Sequence, residues 1–167
     1  MTVERLDESV FLDAASRRNL EIDTNLSGGR DNTLISVLDS SRTAMGTRLL
    51  GKWLNRPLRD RLELRRRQAV VDCLADNFGF EAIQQCLRNF GDMERICSRL
   101  GLGSARPRDL SVLRDSLALL PALQACLQPI DGAELASLAG AIAEFPAQLA
   151  LLQRALEENP PVVIREG

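Results

Sequence analysis

From Thr33 onward, apolar residues recur along this chain at helical spacing, and the predicted elements follow one another almost without pause. Thr33 to Asp39 reads as a short helix with Leu34, Val37 and Leu38 on one side. A second helix is predicted from about Thr43 to Asn55, where Met45, Leu49, Leu50, Trp53 and Leu54 form one broad apolar face. Thr43 suits its N-cap and Pro57 closes it. A third spans about Arg61 to Asp76, with Leu62, Ala69, Val70, Cys73 and Leu74 inward and charge outward. Phe80, Ile83, Leu87 and Phe90 mark a fourth, and Met93, Ile96, Cys97 and Leu100 a fifth, with Gly101 and Gly103 as the break and cap. Pro107 fits the first position of the next helix, with Asp109 in its first turn. Leu110, Leu113, Leu117 and Leu120 continue that stripe until Pro121 kinks or restarts it. Asp131 with Glu134 resembles a capping box ahead of Leu135, Leu138, Ala139 and Ile142. Pro146 divides this from the last helix, which carries Leu149, Leu152 and Leu156.

The two ends differ from this body. Met1 to Gly29 is the least regular part; Val10-Phe11-Leu12 and Asn19-Leu20-Glu21-Ile22 each suit a short extended piece or part of a helical turn, and Ser27-Gly28-Gly29 a loop. After Pro160-Pro161, Val162-Val163-Ile164 reads as the start of a strand that needs a partner. The expectation is therefore an all-α, multi-helical array of about seven to nine helices with short connections. It leaves room for a short extended segment near the N-terminus and at the C-terminal end. Residues 1–29 form an irregular opening segment and residues 30–167 one helical body.

Composition supports that reading. The chain has 167 residues, 45% of them apolar but only 4% aromatic, so the core is built from Leu, Ala, Ile and Val. No stretch approaches the roughly 20 uninterrupted apolar residues that span a bilayer, and the acidic, polar start is unlike a secretory signal. Cys73, Cys86, Cys97 and Cys126 are widely spaced with no CxxC, as expected of buried, reduced thiols in a cytoplasmic protein. Histidine is absent, which excludes Ser-His-Asp and Cys-His catalysis and every His-ligated metal site.

The net charge is −2, unevenly placed: residues 1–108 carry 18 basic and 15 acidic side chains, residues 109–167 carry 3 and 8. Arg42 to Arg67 holds nine basic residues (Arg42, Arg48, Lys52, Arg56, Arg59, Arg61, Arg65, Arg66 and Arg67) against Asp60 and Glu63, a local net of +7. Such a stretch suits either a solvated or domain-contacting face or contact with nucleic-acid phosphates, but no groove-reading motif accompanies it. The remaining candidates read as structure. Gly28-Gly29 and Gly101-Leu102-Gly103 are turn and cap glycines, since no GxxxxGK[ST] is present. Asp92 with Glu94, and Glu157 with Glu158, do not share a helix face and read as surface charge. No catalytic, cofactor-binding or metal-binding residue is assigned.

Several runs resemble the core (lever) domain of the bacterial MutS mismatch-repair family. They are Leu12 to Ile22, Asn32-Thr33-Leu34 through Leu38-Asp39, Thr43 to Leu50, Trp53 to Leu58, Gly91 to Ile96 and Ala105 to Leu110. Pro160-Pro161 with the hydrophobics after it resembles the exit toward the family's clamp insertion, so the resemblance covers roughly residues 10–167. It implies the first half of a core domain that links the DNA-holding clamp to the ATPase and is not itself catalytic. The parent protein would be a homodimer that binds mismatched double-stranded DNA, uses ATP and Mg, and recruits MutL in the cytoplasm. Its other partners would be its own clamp, connector and ATPase domains, with no membrane. The family's Phe-x-Glu mismatch reader is not matched by Phe78-Gly79-Phe80-Glu81, where neither Phe has Glu two positions later. No cofactor is expected in this chain. The rival expectations are a stand-alone helical interaction module and a non-specific nucleic-acid binder acting through Arg56 to Arg67.

Overall fold

The computed structural model describes residues 9–76 and 79–157. Among them it is helical, with no strand and a single isolated antiparallel bridge between Ser9 and Leu58. The helices are α1 (Ala14–Asn19), α2 (Leu34–Leu38), α3 (Ala44–Asn55), α4 (Arg61–Ala75), α5 (Phe80–Leu87), α6 (Met93–Gly101), α7 (Pro107–Ala118), α8 (Leu120–Leu127), α9 (Ala133–Ala141) and α10 (Pro146–Ala155). The chain divides into two compact units, Met1–Ala69 and Val70–Gly167. Pro160-Pro161 and the expected Val162 to Ile164 strand lie outside the described residues.

Short polar side chains start α1, α2, α3, α4 and α6. Each accepts a hydrogen bond from an amide that has no partner inside its own helix. Asp13 accepts from the Ser16 amide at 2.8 Å, Thr43 Oγ1 from Gly46 at 3.0 Å, and Asp92 from Arg95 at 3.3 Å. Asp60 Oδ1 does the same for α4, taking the Leu62 amide at 2.8 Å and the Glu63 amide at 3.3 Å. Pro107, Pro121 and Pro146 sit in the first turns of α7, α8 and α10, where a missing N–H costs nothing. Pro121 thus restarts the helical run after Leu119. The Asp131–Glu134 capping box does not form. The N-cap of α9 is Gly132, one residue later, so Glu134 falls at the second helical position and cannot reach back as a third-position acid does. Gly132 stands close to Cys73, so that a Cβ added to it would lie 3.0 Å from Cys73 Sγ.

In the unit Met1–Ala69, α1 forms at Ala14–Asn19, within the stretch expected to be irregular. The turn after α1 then folds back on α2. Glu21 and Ile22 offer their carbonyls to the amides of Leu34 and Ile35, both at 2.9 Å, and Thr33 Oγ1 takes the Ser36 amide at 3.3 Å. All three leading amides of α2 are satisfied this way. Ile22 is buried and Thr33 has no exposed surface. Apolar faces here are only partly covered: Leu34, Val37 and Leu38 on α2, Leu49 and Trp53 on α3, and Leu62 on α4 are all exposed, against the expected inward placement of that leucine. A five-residue α2 and the residues of this unit do not bring enough apolar partners to bury both sides of the helices.

In the unit Val70–Gly167, α7 packs on α6 and α10, and α8 packs on α5 and α9. Among the described residues, Ile96, Leu117, Leu120, Leu135 and Ala139 are its buried apolar residues, all on the predicted stripes. Together α7 and α8 cover Pro107–Leu127, 21 residues long and apolar enough by those measures to cross a membrane. Four neighbouring helices pack on it here, and Arg114 and Asp115 form an ion pair at 2.8 Å within it. The Gln124 amide group also donates to the Ala139 carbonyl at 3.1 Å, tying α8 to α9.

Candidate functional site

The residues of greatest chemical interest fall into two joints and one basic edge. The first joint is the turn from Leu20 to Thr33. Glu21 and Asn32 adopt left-handed φ angles of 46° and 58°, uncommon for residues with a Cβ, and Gly28 does so at 85°. Side chains hold the turn from inside: Glu21 Oε1 accepts from the Leu26 amide at 2.7 Å and Asn25 Oδ1 from Gly29 at 2.8 Å. Asn25 Nδ2 also donates to the Asp31 carbonyl at 3.0 Å, and Thr33 Oγ1 to Arg30 at 2.9 Å.

The second joint locks α6 to α7. The Gly91 amide donates to Ser116 Oγ at 3.0 Å, and that hydroxyl donates to the Val112 carbonyl at 2.8 Å. Ser116 is fully buried, so both of its hydrogen bonds are made inside the unit. Only glycine fits at 91: an added Cβ would sit 2.0 Å from Val112 Cγ1. At the other end of the pair, Arg99 Nη2 meets Asp109 Oδ1 at 2.6 Å, and Asp109 Oδ2 accepts from the Arg106 amide at 2.9 Å. Between them α6 ends in a Schellman motif. Gly103 is left-handed (φ 64°), Ser104 donates to the Arg99 carbonyl at 2.9 Å and Gly103 to that of Leu100 at 3.0 Å.

The basic edge comes from α3, α4 and their connection. Glu63 Oε1 accepts from Arg67 Nε at 3.0 Å, and the Arg67 guanidinium lies 4.1 Å from the centroid of the Trp53 ring. Arg67 therefore turns toward α3. Arg59, Arg61, Arg65 and Arg66 are exposed.

The other candidates take structural places. Gly28-Gly29 and Gly103 are turn and cap glycines, and Asp92 is the N-cap of α6. Glu157 is exposed; Glu158 and Phe78 lie outside the described residues, and Phe80 begins α5. The four cysteines are free thiols, but Cys97 is exposed and the others are half-buried, so the expected full burial does not hold. Burial pushes the Cys86 thiol up from its ordinary value, and neighbouring Cys126 adds to the effect, which makes Cys86 a poor nucleophile. Among the described residues no three metal-binding side chains converge. Sequence reading missed the internally braced turn at Leu20 to Thr33. Its signal was the density of Asn, Asp, Ser and Gly between Asp23 and Asn32, which points to side-chain-closed turns.

These joints define a helical scaffold whose distinctive residues serve as caps, turns and interlocks. The chain belongs to the MutS family of mismatch-repair proteins, for the family model of MutS domain III matches residues 15–167. That match makes it a core (lever) domain, a non-catalytic part of proteins that work on DNA together with the other MutS domains. Four of the runs that carry the family resemblance meet in pairs in this structure. Leu12 to Ile22 joins Asn32 to Leu38 at the first joint, and Gly91 to Ile96 packs on the helix that Ala105 to Leu110 opens.

Proposed function

We propose that this domain couples the DNA-holding clamp of a MutS protein to its ATPase. In this reading the parent is a cytoplasmic homodimer that binds mismatched double-stranded DNA, uses ATP with Mg, and recruits MutL. The domain itself supplies neither the mismatch reader nor the nucleotide site. The observation that carries the reading is the pair of interlocks, above all the Gly91–Ser116–Val112 and Arg99–Asp109 contacts between α6 and α7. Rigid elements joined by specific contacts transmit a displacement, whereas loosely packed ones absorb it. The partly covered apolar faces of α2, α3 and α4 are also what a domain carries where neighbouring domains close over it.

The test is Asp109→Asn in the whole protein, measured for mismatch affinity and for ATP-driven release from the mismatch. The expected result is near-normal mismatch affinity with release slowed by roughly 5-fold or more, the low end of ordinary allosteric coupling. Unchanged release, with the Arg99 contact shown to be lost, would refute the coupling role. It would favour a passive spacer or a stand-alone interaction module.

A further inference from the structure

With the capping box unmade, Asp131 is left without the helix-starting role that its sequence suggests. It is exposed on the connection between α8 and α9, and Gly132 follows it as the N-cap of α9. Among the described residues, neither the Asp131 carboxylate nor the Gly132 amide has a hydrogen-bond or ion-pair partner. The Gly132 carbonyl is engaged, accepting from the Ala136 amide at 2.9 Å, so α9 begins at once beyond the pair. Asp-Gly occurs once in the chain. We infer that Asp131 is a covalent modification site, where the chain isomerises spontaneously from aspartate to isoaspartate.

The reaction needs no co-reactant but water. The Gly132 amide nitrogen attacks Asp131 Cγ; the N–Cγ bond forms, a Cγ–O bond of the neutral carboxyl breaks, and that hydroxyl leaves with the amide proton as water. The product is a five-membered succinimide. Water then adds back at either ring carbonyl. Opening at the α-carbonyl leaves the chain running through Cγ, with a free α-carboxylate and one extra backbone carbon. Both reacting groups sit on adjacent residues, so bringing them together costs little. Glycine favours the attack because no side chain crowds the approach and its backbone turns freely; Gly132 already holds a φ of 156°. The other aspartates are held or hindered. Asp13, Asp60 and Asp92 accept from helix-leading amides, and Asp109 from Arg99 and Arg106. Asp39 takes the Ser41 amide at 3.0 Å, and Asp115 lies inside α7, whose ladder holds the next amide. Asp7, Asp23, Asp31, Asp72 and Asp76 each precede a residue with a side chain. The inserted carbon falls directly before α9, where a Cβ on Gly132 would already lie 3.0 Å from Cys73 Sγ and 3.6 Å from Leu135 Cδ1. Conversion therefore displaces the start of a helix whose Leu135 and Ala139 are buried. The α6–α7 joint does not enter, so the inference is independent of the coupling proposal.

The experiment ages the folded 167-residue chain at physiological temperature and neutral pH for several weeks, beside Asp131→Glu and an unstructured peptide of residues 125–137. Asp131→Glu keeps the carboxylate but would have to close a six-membered ring, which forms far more slowly. Isoaspartate is read in two ways. An isoaspartyl methyltransferase esterifies the new α-carboxylate with labelled S-adenosylmethionine, and Asp-N endoproteinase cuts before aspartate but not before isoaspartate. The expected result is label that accumulates at residue 131 ahead of every other aspartate, a transient species lighter by one water, and no label at 131 in Asp131→Glu. Label in the peptide but not in the folded chain would mean that the fold protects Asp131, and overturns the inference. Equally rapid label at Asp39 or Asp115 overturns it too, since those carboxylates are held. Amide hydrogen exchange of the aged chain then checks the consequence: it should rise in α9 relative to fresh protein and stay the same across α6 and α7. Unchanged exchange in α9 of fully converted chain would refute the displacement of that helix.

Discussion

Gly91→Ala is the perturbation whose effect can be worked most directly from the structure. A Cβ at this position would lie 2.0 Å from Val112 Cγ1, 3.4 Å from Ser116 Oγ and 3.5 Å from Val112 Cβ. Carbon atoms settle near 3.5–4.0 Å apart, so about 1.5 Å of relief is needed. Val112 can supply it by leaving its helical rotamer, but a β-branched residue holds that rotamer about nine times in ten, and the change costs roughly 1 kcal/mol. The alternative is for α6 and α7 to separate, which breaks the hydrogen bond from Gly91 to Ser116 and strands a polar group at about 1–3 kcal/mol. Either route predicts a loss of about 1–3 kcal/mol, the ordinary range for overpacking. In a chain of this size that lowers Tm by roughly 3–10 °C. Urea unfolding followed by circular dichroism measures it. Because the cost arises from one methyl group, Val112→Ala should rescue Gly91→Ala, leaving the double variant no less stable than Val112→Ala alone. Val112 is 39% exposed, so its own truncation costs about 1 kcal/mol or less. Wild-type stability in Gly91→Ala, or no rescue in the double variant, would refute the account of this joint.

Other predictions follow from the caps, the charged groups and the single tryptophan. Gly103→Ala should cost about 1 kcal/mol through its left-handed φ of 64° alone, since nothing lies within 4 Å of an added Cβ. Gly101→Ala, in open space inside α6, should instead be neutral or stabilising by about 0.5–1 kcal/mol; equal effects in the two unfolding curves would contradict the Schellman assignment. The Asp39 carboxyl is held below its ordinary value of 3.8 by hydrogen bonds from the Ser41 hydroxyl, the Ser41 amide and the Thr47 hydroxyl. Its folded value is thus below its unfolded one, so its contribution is complete above about pH 4 and is lost as pH falls through the lower folded value. Asp39→Asn should therefore flatten the acid limb of a stability–pH curve, and an unchanged limb would count against these bonds. Trp53 is the only tryptophan, so Arg67→Met should shift its emission and cost about 0.5–1 kcal/mol. Unchanged emission would show that the guanidinium does not rest on the ring.

Helices were legible wherever an apolar stripe coincided with a cap. Thr43 and Pro107 stand where the sequence puts them, and the stripe Leu110, Leu113, Leu117, Leu120 runs along α7 into α8 as periodicity requires. The capping box at Asp131 failed because α9 starts one residue later, with Gly132 as its N-cap and Glu134 at its second position. Burial of Leu62 on α4 was misjudged because periodicity identifies an apolar face, but whether anything covers it depends on the rest of the structure. Four of the runs that revealed the family proved to form joints. Gly91 is required by Val112, 21 positions away, so its identity makes sense only once the chain is folded. The basic stretch was visible from the start, but its division was not. That Arg67 belongs to Trp53 and Glu63, while Arg59, Arg61 and Arg65 face outward, is a fact of helix phase and neighbouring packing.

Coupling between DNA and nucleotide sites is the central proposal, and amide hydrogen exchange in the whole protein tests it most directly. Protection across α6 and α7 would be compared in the free, mismatch-bound, ATP-bound and doubly bound states. The account predicts that each ligand alone changes protection at the Gly91–Ser116 joint, and that the two together give a change different from the sum of the separate ones. Identical protection across this joint in all four states would contradict it.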